Sequence, residues 1–415
     1  MVQGQKAGPL SGLRVLDLSR VLAGPFCSMI LGDLGAEIIK VEDPSGGDQT
    51  RTIPPFVNGQ SHYFLAINRN KKSIAIDTRL PEGRDAVLEL VRHADVVLEN
   101  FRPGVMDRLG LSYDVLKAIK PDLVVCSISG FGQTGEMSTL PSFDLVTQAM
   151  SGVMSINGET DGPPTKLGIP MGDIGGGLWS AIGVLAALQA RNSTGEGAHI
   201  DLSLLEGLMG LLGYLAEIYL VTGESPGRVG SSHHSVVPYG RFQVKDGHIV
   251  IALHVGTFWR KFCSAIGRPD LADNPRYRTT ADRRTNRDEL EAIVNEILMT
   301  RTAAEWHVVL HAADVPHGNV NSVGEALEQD VIVQRGLVKT AEHPVAGPVK
   351  LVGSPLRFTG QYPDAKMQPA PLLGEHTEEV LTELLGYGPD RIAGLLAAKA
   401  IRLFDGGGFP TPKED

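Results

Sequence analysis

Short apolar runs recur through the first half of the chain, and between them the apolar positions fall three or four apart. "LRVLDLS" (13–19), "EIIKVE" (37–42), "KSIAIDT" (72–78), "DVVLEN" (95–100), "DLVVCSISG" (122–130) and "AHIDLSL" (198–204) are rich in Val, Ile and Leu. They read as strands buried on both faces. "AGPFCSMILGDLGA", "GRDAVLELVRHA" and "SYDVLKAIK" lie between them at helical spacing. Strand, helix and strand within roughly thirty residues make a βαβ unit. The repeated unit predicts an α/β fold with a doubly wound, mostly parallel, Rossmann-like sheet.

Further along, the pattern predicts a helix over 174–191 and a long apolar helix over 204–221. The Gly-, Ser- and Pro-rich loop 222–240 marks a boundary. Beyond it "RFQVKDGHIVIALH" reads as a hairpin turning at Asp-Gly. Charged helices follow near 257–267, 284–299 and 302–312, giving a smaller α+β domain. From about 340 strand signals return in "VKLVGSPLRF", and a terminal helix covers 376–386.

Bulk composition narrows the possible functions. The chain has 415 residues, 42% hydrophobic and 21% charged, with a net charge of −10. An acidic balance argues against a nucleic-acid partner. The longest apolar stretch, "LLEGLMGLLGYLAEIYL", is interrupted by Glu206 and Glu217 and suits a buried or interface helix, so no membrane association is expected. "MVQGQKAGPL" lacks a signal-peptide core and presequence arginines, and the expected location is the cytoplasm. Cys27, Cys126 and Cys263 lie too far apart for a metal or disulfide pattern, and no metal is expected.

Candidate chemistry centres on "KLGIPMGDIGGGLWSAIGVLAALQAR" (166–191). Asp173 precedes a helix and three glycines, Gly175, Gly176 and Gly177. Two readings are open. Asp173 is an N-cap with glycines that ease packing; or it is a nucleophile, with the glycines admitting a ligand to the backbone and the helix amides binding an oxyanion. No G-x-G-x-x-G or Walker loop is present. Basic residues gather in "NRNKKS" (Arg69, Lys71, Lys72) and "ENFRPGVMDRLG" (Arg102, Arg108), as solvated loop charges or as a phosphate site. His233 and His234 sit in the boundary loop without metal-ligand spacing to any acid or thiol.

Long ordered stretches carry a resemblance. "LSGLRVLDLSRVLAGPFCSMILGDLGAEIIKVEDPSGGDQTR", "YFLAINRNKKSIAIDTRLPEGR", "DVVLENFRPGVMDRLGLSY" and "GIPMGDIGGGLWSAIGVLAAL" resemble the class III CoA-transferases, from about residue 10 to "PLLGEHTEEVLTELLGY". "RVLAGPF", "HHSVVPYGRFQVKDGHIVIA" and "APLLGEHT" look like the branch acting on succinyl-CoA and dicarboxylates such as glutarate. The resemblance implies an interlocked, ring-like homodimer. Residues 1–222 and 335–415 would build the large domain and 223–334 the small one. It implies that Asp173 passes through aspartyl anhydride and aspartyl-CoA thioester states, with backbone amides near Gly175 and Gly176 assisting. Coenzyme A would be a cosubstrate, with no permanently bound cofactor. CoA contacts would fall on Val21, Leu22, Ala23, Lys71, Ile76, Asn100, Phe101, Arg102 and Arg108. Arg51 and His233 become candidates for holding the substrate's distal carboxylate, and Phe143 is expected to line the substrate site. Leu22 replaces the Gln of formyl-CoA transferase and no tetraglycine loop occurs, which points away from formyl or oxalyl chemistry. The alternative reaction is isomerisation, as α-methylacyl-CoA racemase or by intramolecular CoA transfer. Phe143 stands where the racemase has its His, and a phenyl ring moves no proton.

Overall fold

The structure, a computed structural model, describes residues 8–359, 362, 367–404 and 406. The six apolar runs pair in parallel as β1 (Arg14–Asp17), β2 (Glu37–Glu42), β3 (Lys71–Ile76), β4 (Val96–Glu99), β5 (Val124–Ser129) and β6 (Ala198–Ser203). Their spatial order is β3-β2-β1-β4-β5-β6, and β7 (Ile401–Arg402) adds antiparallel to β3. The order reverses between β1 and β4. Loops leaving the carboxyl ends there diverge and open a crevice.

Alternation along each strand divides the core. Leu16, Ile39, Ile74, Val97 and Val125 face one side, against Val87, Leu116, Leu381 and Leu395 from four helices. Val15, Ile38, Val96, Leu98 and Cys126 face the other. That second face is covered by α1 (Ala23–Asp33) and by a 24-residue helix, Met171–Thr194, through Cys27, Leu31, Ala181, Val184 and Leu188. The long helix is apolar enough over 18 residues to match a membrane span, although no unbroken run announced it; 44% of that window is buried in the protein. The single helix predicted over 204–221 is instead two, Leu204–Leu211 and Tyr214–Thr222, bent by 83°. Gly213 at the bend has φ +54, open to a residue without Cβ.

Two compact units divide the chain. The first holds the large sheet and comprises Met1–Val153, Lys166–Val221 and Val333–Asp415. The second comprises Met154–Thr165 and Thr222–Ile332, and its short first excursion carried no boundary signal in the sequence. Its antiparallel sheet joins Tyr239–Val244, Gly247–Ala252 and His317–Asn319 over a core of Trp259, Phe262, Leu290, Val294 and Trp306. The strand expected over 349–358 belongs to a separate hairpin, Val338–His343 with Gly347–Val352.

Candidate active site

Two further helices of the first unit place the candidate nucleophile: α2 (Asp144–Met150) and α3, the long helix Met171–Thr194. Helix α3 begins before Asp173, not after it, so Asp173 is the third residue of its first turn and not its N-cap. Pro170 precedes the helix and makes no side-chain cap. A remote carboxylate takes that part. Asp144 Oδ1 accepts from the Gly172 amide at 2.7 Å and from the Asp173 amide at 3.4 Å. Its Oδ2 accepts from Gln148 Nε2 at 2.7 Å, while Gln148 Oε1 accepts from the Leu167 amide at 2.8 Å. Met171 and Ile174 amides donate to the Ile169 and Pro170 carbonyls. All four first-turn amides are therefore engaged.

This corrects the expectation that amides near 174–177 face an oxyanion. Beyond Ile174 they are internal helix donors. The glycines serve packing. A Cβ on Gly175 would come 2.9 Å from Leu211 Cδ1, on Gly176 2.3 Å from Leu204 Cδ2, and on Gly177 2.7 Å from the Ala23 carbonyl oxygen. Gly175 and Gly176 let α3 close onto Leu204–Leu211; Gly177 lets α1 approach it.

Burial pushes the Asp173 carboxyl up to about 7, with a smaller contribution from the nearby charge of Asp144. Tyr63 is also raised, to about 12, by burial and then by the charge of Asp173. A carboxyl with this value attacks only when ionised. Exchange catalysed through it should have a kcat/KM that rises about tenfold per pH unit below about 7 and levels above it. Asp144→Asn keeps an acceptor but removes the like charge, so the limb should move to lower pH. A pH–rate profile of both proteins checks this; a flat wild-type profile between pH 5 and 8 contradicts it.

Asp173 lies on a cleft that also borders Val21, Leu22, Ala23, Asn100, Phe101, Arg102 and Phe143. The cleft sits at the carboxyl ends of β1, β4 and β5, the reversal point of the sheet. Asn100 is intermediate in exposure and Arg102 is exposed; Arg108, exposed too, ends the short helix Val105–Arg108 that follows. Phe143 is 73% exposed and supplies an apolar wall with no titratable group. Ser129 and Ser142 line the cleft as well, with buried hydroxyls that have no partner among the described residues. Sequence reasoning missed Tyr63, Asp144, Ser129 and Ser142. Only Asp144, an acid four residues before Gln148 at a helix start, left a local signal.

Other candidates lie elsewhere. Arg51 is 4% exposed, donates twice to the Glu42 carboxylate at 2.8 and 2.7 Å, and stacks on Phe64 at 3.6 Å. It is a structural cation rather than a reader of substrate. Lys71 is buried against Asp17 (3.4 Å), the Pro25 carbonyl (2.9 Å) and Asn68 (2.9 Å), out of reach of phosphate. It opens β3, so the "NRNKKS" cluster sits at the other end of its strand from the Arg102 loop. Arg69 pairs with Asp33, and Lys72 with Glu37 and Glu379. Ile76 is 2% exposed inside the first core and has no surface for a ligand. His233 belongs to the second unit. Its Nδ1 accepts from the Ser235 and Val236 amides, and burial holds its pKa down. Among the described residues no group of three or more His, Cys, Asp or Glu could hold a metal ion.

A family model described as CoA-transferase family III matches residues 10–377. The succinyl-CoA:glutarate CoA-transferase of Mus musculus is 40% identical over 394 residues, 95% of this chain and 90% of that protein. The acetyl-CoA:oxalate CoA-transferase of Acetobacter aceti is 42% identical over 370 residues, 89% of this chain and 94% of that protein. The crystal structure of a CAIB/BAIF family protein from Brucella suis superposes with a TM-score of 0.80 at 38% identity, covering 91% of this chain and 99% of that one. With the match spanning most of its length, the chain belongs to CoA-transferase family III and is a transferase.

Proposed function

We propose that the enzyme moves CoA from a dicarboxyl-CoA donor such as succinyl-CoA to a second dicarboxylate, with Asp173 as the covalent relay. The observation that carries this reading is one half-buried carboxylate, perturbed toward neutrality, on the floor of a cleft at the sheet's reversal point. The names of the curated relatives, which include succinyl-CoA:glutarate and succinyl-CoA:mesaconate transferases, support the substrate class.

The Asp173 carboxylate attacks the thioester carbonyl, forming a bond to the acyl carbon as the C–S bond breaks and CoA thiolate leaves. The thiolate then attacks the aspartyl carbonyl, releasing the first acid and leaving CoA on Asp173. The acceptor carboxylate displaces the thiolate to give a second anhydride. Return of the thiolate to the acceptor's acyl carbon frees product and Asp173. Each step exchanges activated acyl groups of similar energy, which divides a slow displacement into faster ones. In this reading Val21–Ala23, Asn100 and Phe101 hold the pantetheine arm, and exposed Arg102 and Arg108 meet the phosphates. Phe143 offers no base for α-proton transfer, which disfavours the racemase alternative.

The proposal extends to a homodimer. Leu178, Trp179 and Ile182 on α3, with Leu211, Tyr214 and Leu220, leave large apolar side chains exposed, as an assembly surface does. Mass-spectrometric exchange with succinyl-CoA and a panel of acids tests the substrate class. New CoA esters of dicarboxylates, glutarate foremost, are expected, with oxalate a poor acceptor. Exchange confined to monocarboxylates overturns the assignment.

A further inference from the structure

The turn between β1 and α1, which brings Val21, Leu22 and Ala23 to the cleft, has an uncommon backbone. Val21 has φ +67, the left-handed region that a β-branched residue avoids because its Cβ crowds the adjoining carbonyl. No glycine eases it. Polar groups from other segments hold it instead. The Val21 amide donates to both carboxylate oxygens of Asp48 at 3.3 Å. Lys40 pairs with Asp48 at 3.0 Å, both side chains fully buried, and donates to the Ser19 carbonyl at 2.7 Å. Asn100 grips Arg20 from both sides, accepting from its amide at 2.8 Å and donating to its carbonyl at 2.7 Å. Val21 packs against the buried cluster of Leu22, Met29 and Ile67, and so do Tyr63 and Ile174, the residue after Asp173. The conformation of one residue is thus coupled to the wall beside the nucleophile.

We propose that Asp48 is a positioning residue for the transfer reaction: with Lys40 it clamps Val21 in the left-handed turn that shapes the cleft against Asp173. The proposal rests on reading that cleft as the CoA-transfer site. Strained residues of this kind persist only where their surroundings over-determine them, and they gather at functional sites. Asp48 also accepts from the Thr50 amide and hydroxyl, at 3.0 and 2.8 Å. Its contribution to Val21 must therefore be separated from its contribution to that neighbouring turn.

Glycine at position 21 makes the separation, because it adopts the left-handed conformation unaided. Asp48→Asn keeps the size and one acceptor but turns an NH2 group toward the Val21 amide or toward Lys40. Its kcat for exchange should fall about 30- to 100-fold, with a much smaller change in acyl-CoA KM, as misplacement of bound substrate does. Adding Val21→Gly to Asp48→Asn should restore about tenfold of that loss. Where Asp48→Asn alone does not fold, Lys40→Met/Asp48→Asn removes the buried charges together and carries the same comparison. Hydrogen exchange of the Val21 amide reads the clamp without substrate, and should be at least about tenfold faster once Asp48 is replaced. Full kcat in the Asp48 variant, no gain from glycine, or unchanged amide exchange overturns the proposal. A wild-type protein inactive with every acyl-CoA overturns the functional reading instead, and the amide measurement then decides the clamp by itself.

Discussion

Asp173→Ala is expected to abolish CoA exchange while acyl-CoA still binds. All three covalent intermediates of the proposed cycle use this carboxylate, so its loss removes the route rather than slowing it. A fall on the order of 10³- to 10⁶-fold is the usual consequence of deleting a nucleophile. The nearest substitute, Asp144, is committed to the Gly172 and Asp173 amides and to Gln148. Isotope exchange between labelled succinate and succinyl-CoA measures the loss, and calorimetry measures the retained binding. A variant within tenfold of wild type contradicts the assignment. Asp173→Asn adds a thermodynamic signature. The folded carboxyl holds its proton to about 7, whereas the unfolded chain releases it near 4. The contribution of Asp173 to wild-type stability should therefore fall as pH rises from about 4 to about 7 and then level. The Asn variant lacks this slope, so its Tm should match wild type near pH 4 and exceed it by several degrees at pH 8.

Arg51→Met carries the largest expected stability loss. It strips the two guanidinium hydrogen bonds from a Glu42 carboxylate that is 3% exposed, together with a bond to the Pro371 carbonyl and the face of Phe64. Glu42 retains Ser73 and the Asp48 amide, which do not balance its charge as a guanidinium does. Breaking a buried pair from one side costs about 3–5 kcal/mol, a drop in Tm of many degrees. Removing both partners, as Arg51→Met/Glu42→Gln, should recover most of it. Below its lowered Tm, the single variant should keep the wild-type ranking of acceptor acids. A variant with wild-type Tm and altered acceptor preference would return Arg51 to the substrate.

The legibility of the chain follows the range of the interactions involved. β2 was readable to the residue because its signal, Ile38, Ile39 and Val41 bracketed by Glu37 and Glu42, lies within the strand itself. The start of α3 was not. Asp is a favoured N-cap, so local pattern put the helix after Asp173, but the cap comes from Asp144, 29 residues upstream for the Asp173 amide. The glycine run is equally ambiguous in one dimension. Approach by a ligand and approach by Leu204 or Ala23 call for the same small residues, and only tertiary contact tells them apart. Arg51 and Lys71 resemble Arg102 in sequence. Their partners, Glu42 and Asp17, lie 9 and 54 residues away, and burial rather than charge separates a structural cation from an available one. Asp173 was legible as a candidate because its motif is local; the charge that raises it, Asp144, and Tyr63, which it raises in turn, meet it only through the fold.

The most direct measurement stops the enzyme during turnover with succinyl-CoA, treats one portion with hydroxylamine and another with borohydride, and maps the peptides by mass spectrometry. The account predicts a hydroxamate or a reduced side chain on the peptide containing Asp173, at that residue and dependent on substrate. Brisk exchange with residue 173 unmodified in every sample would contradict it.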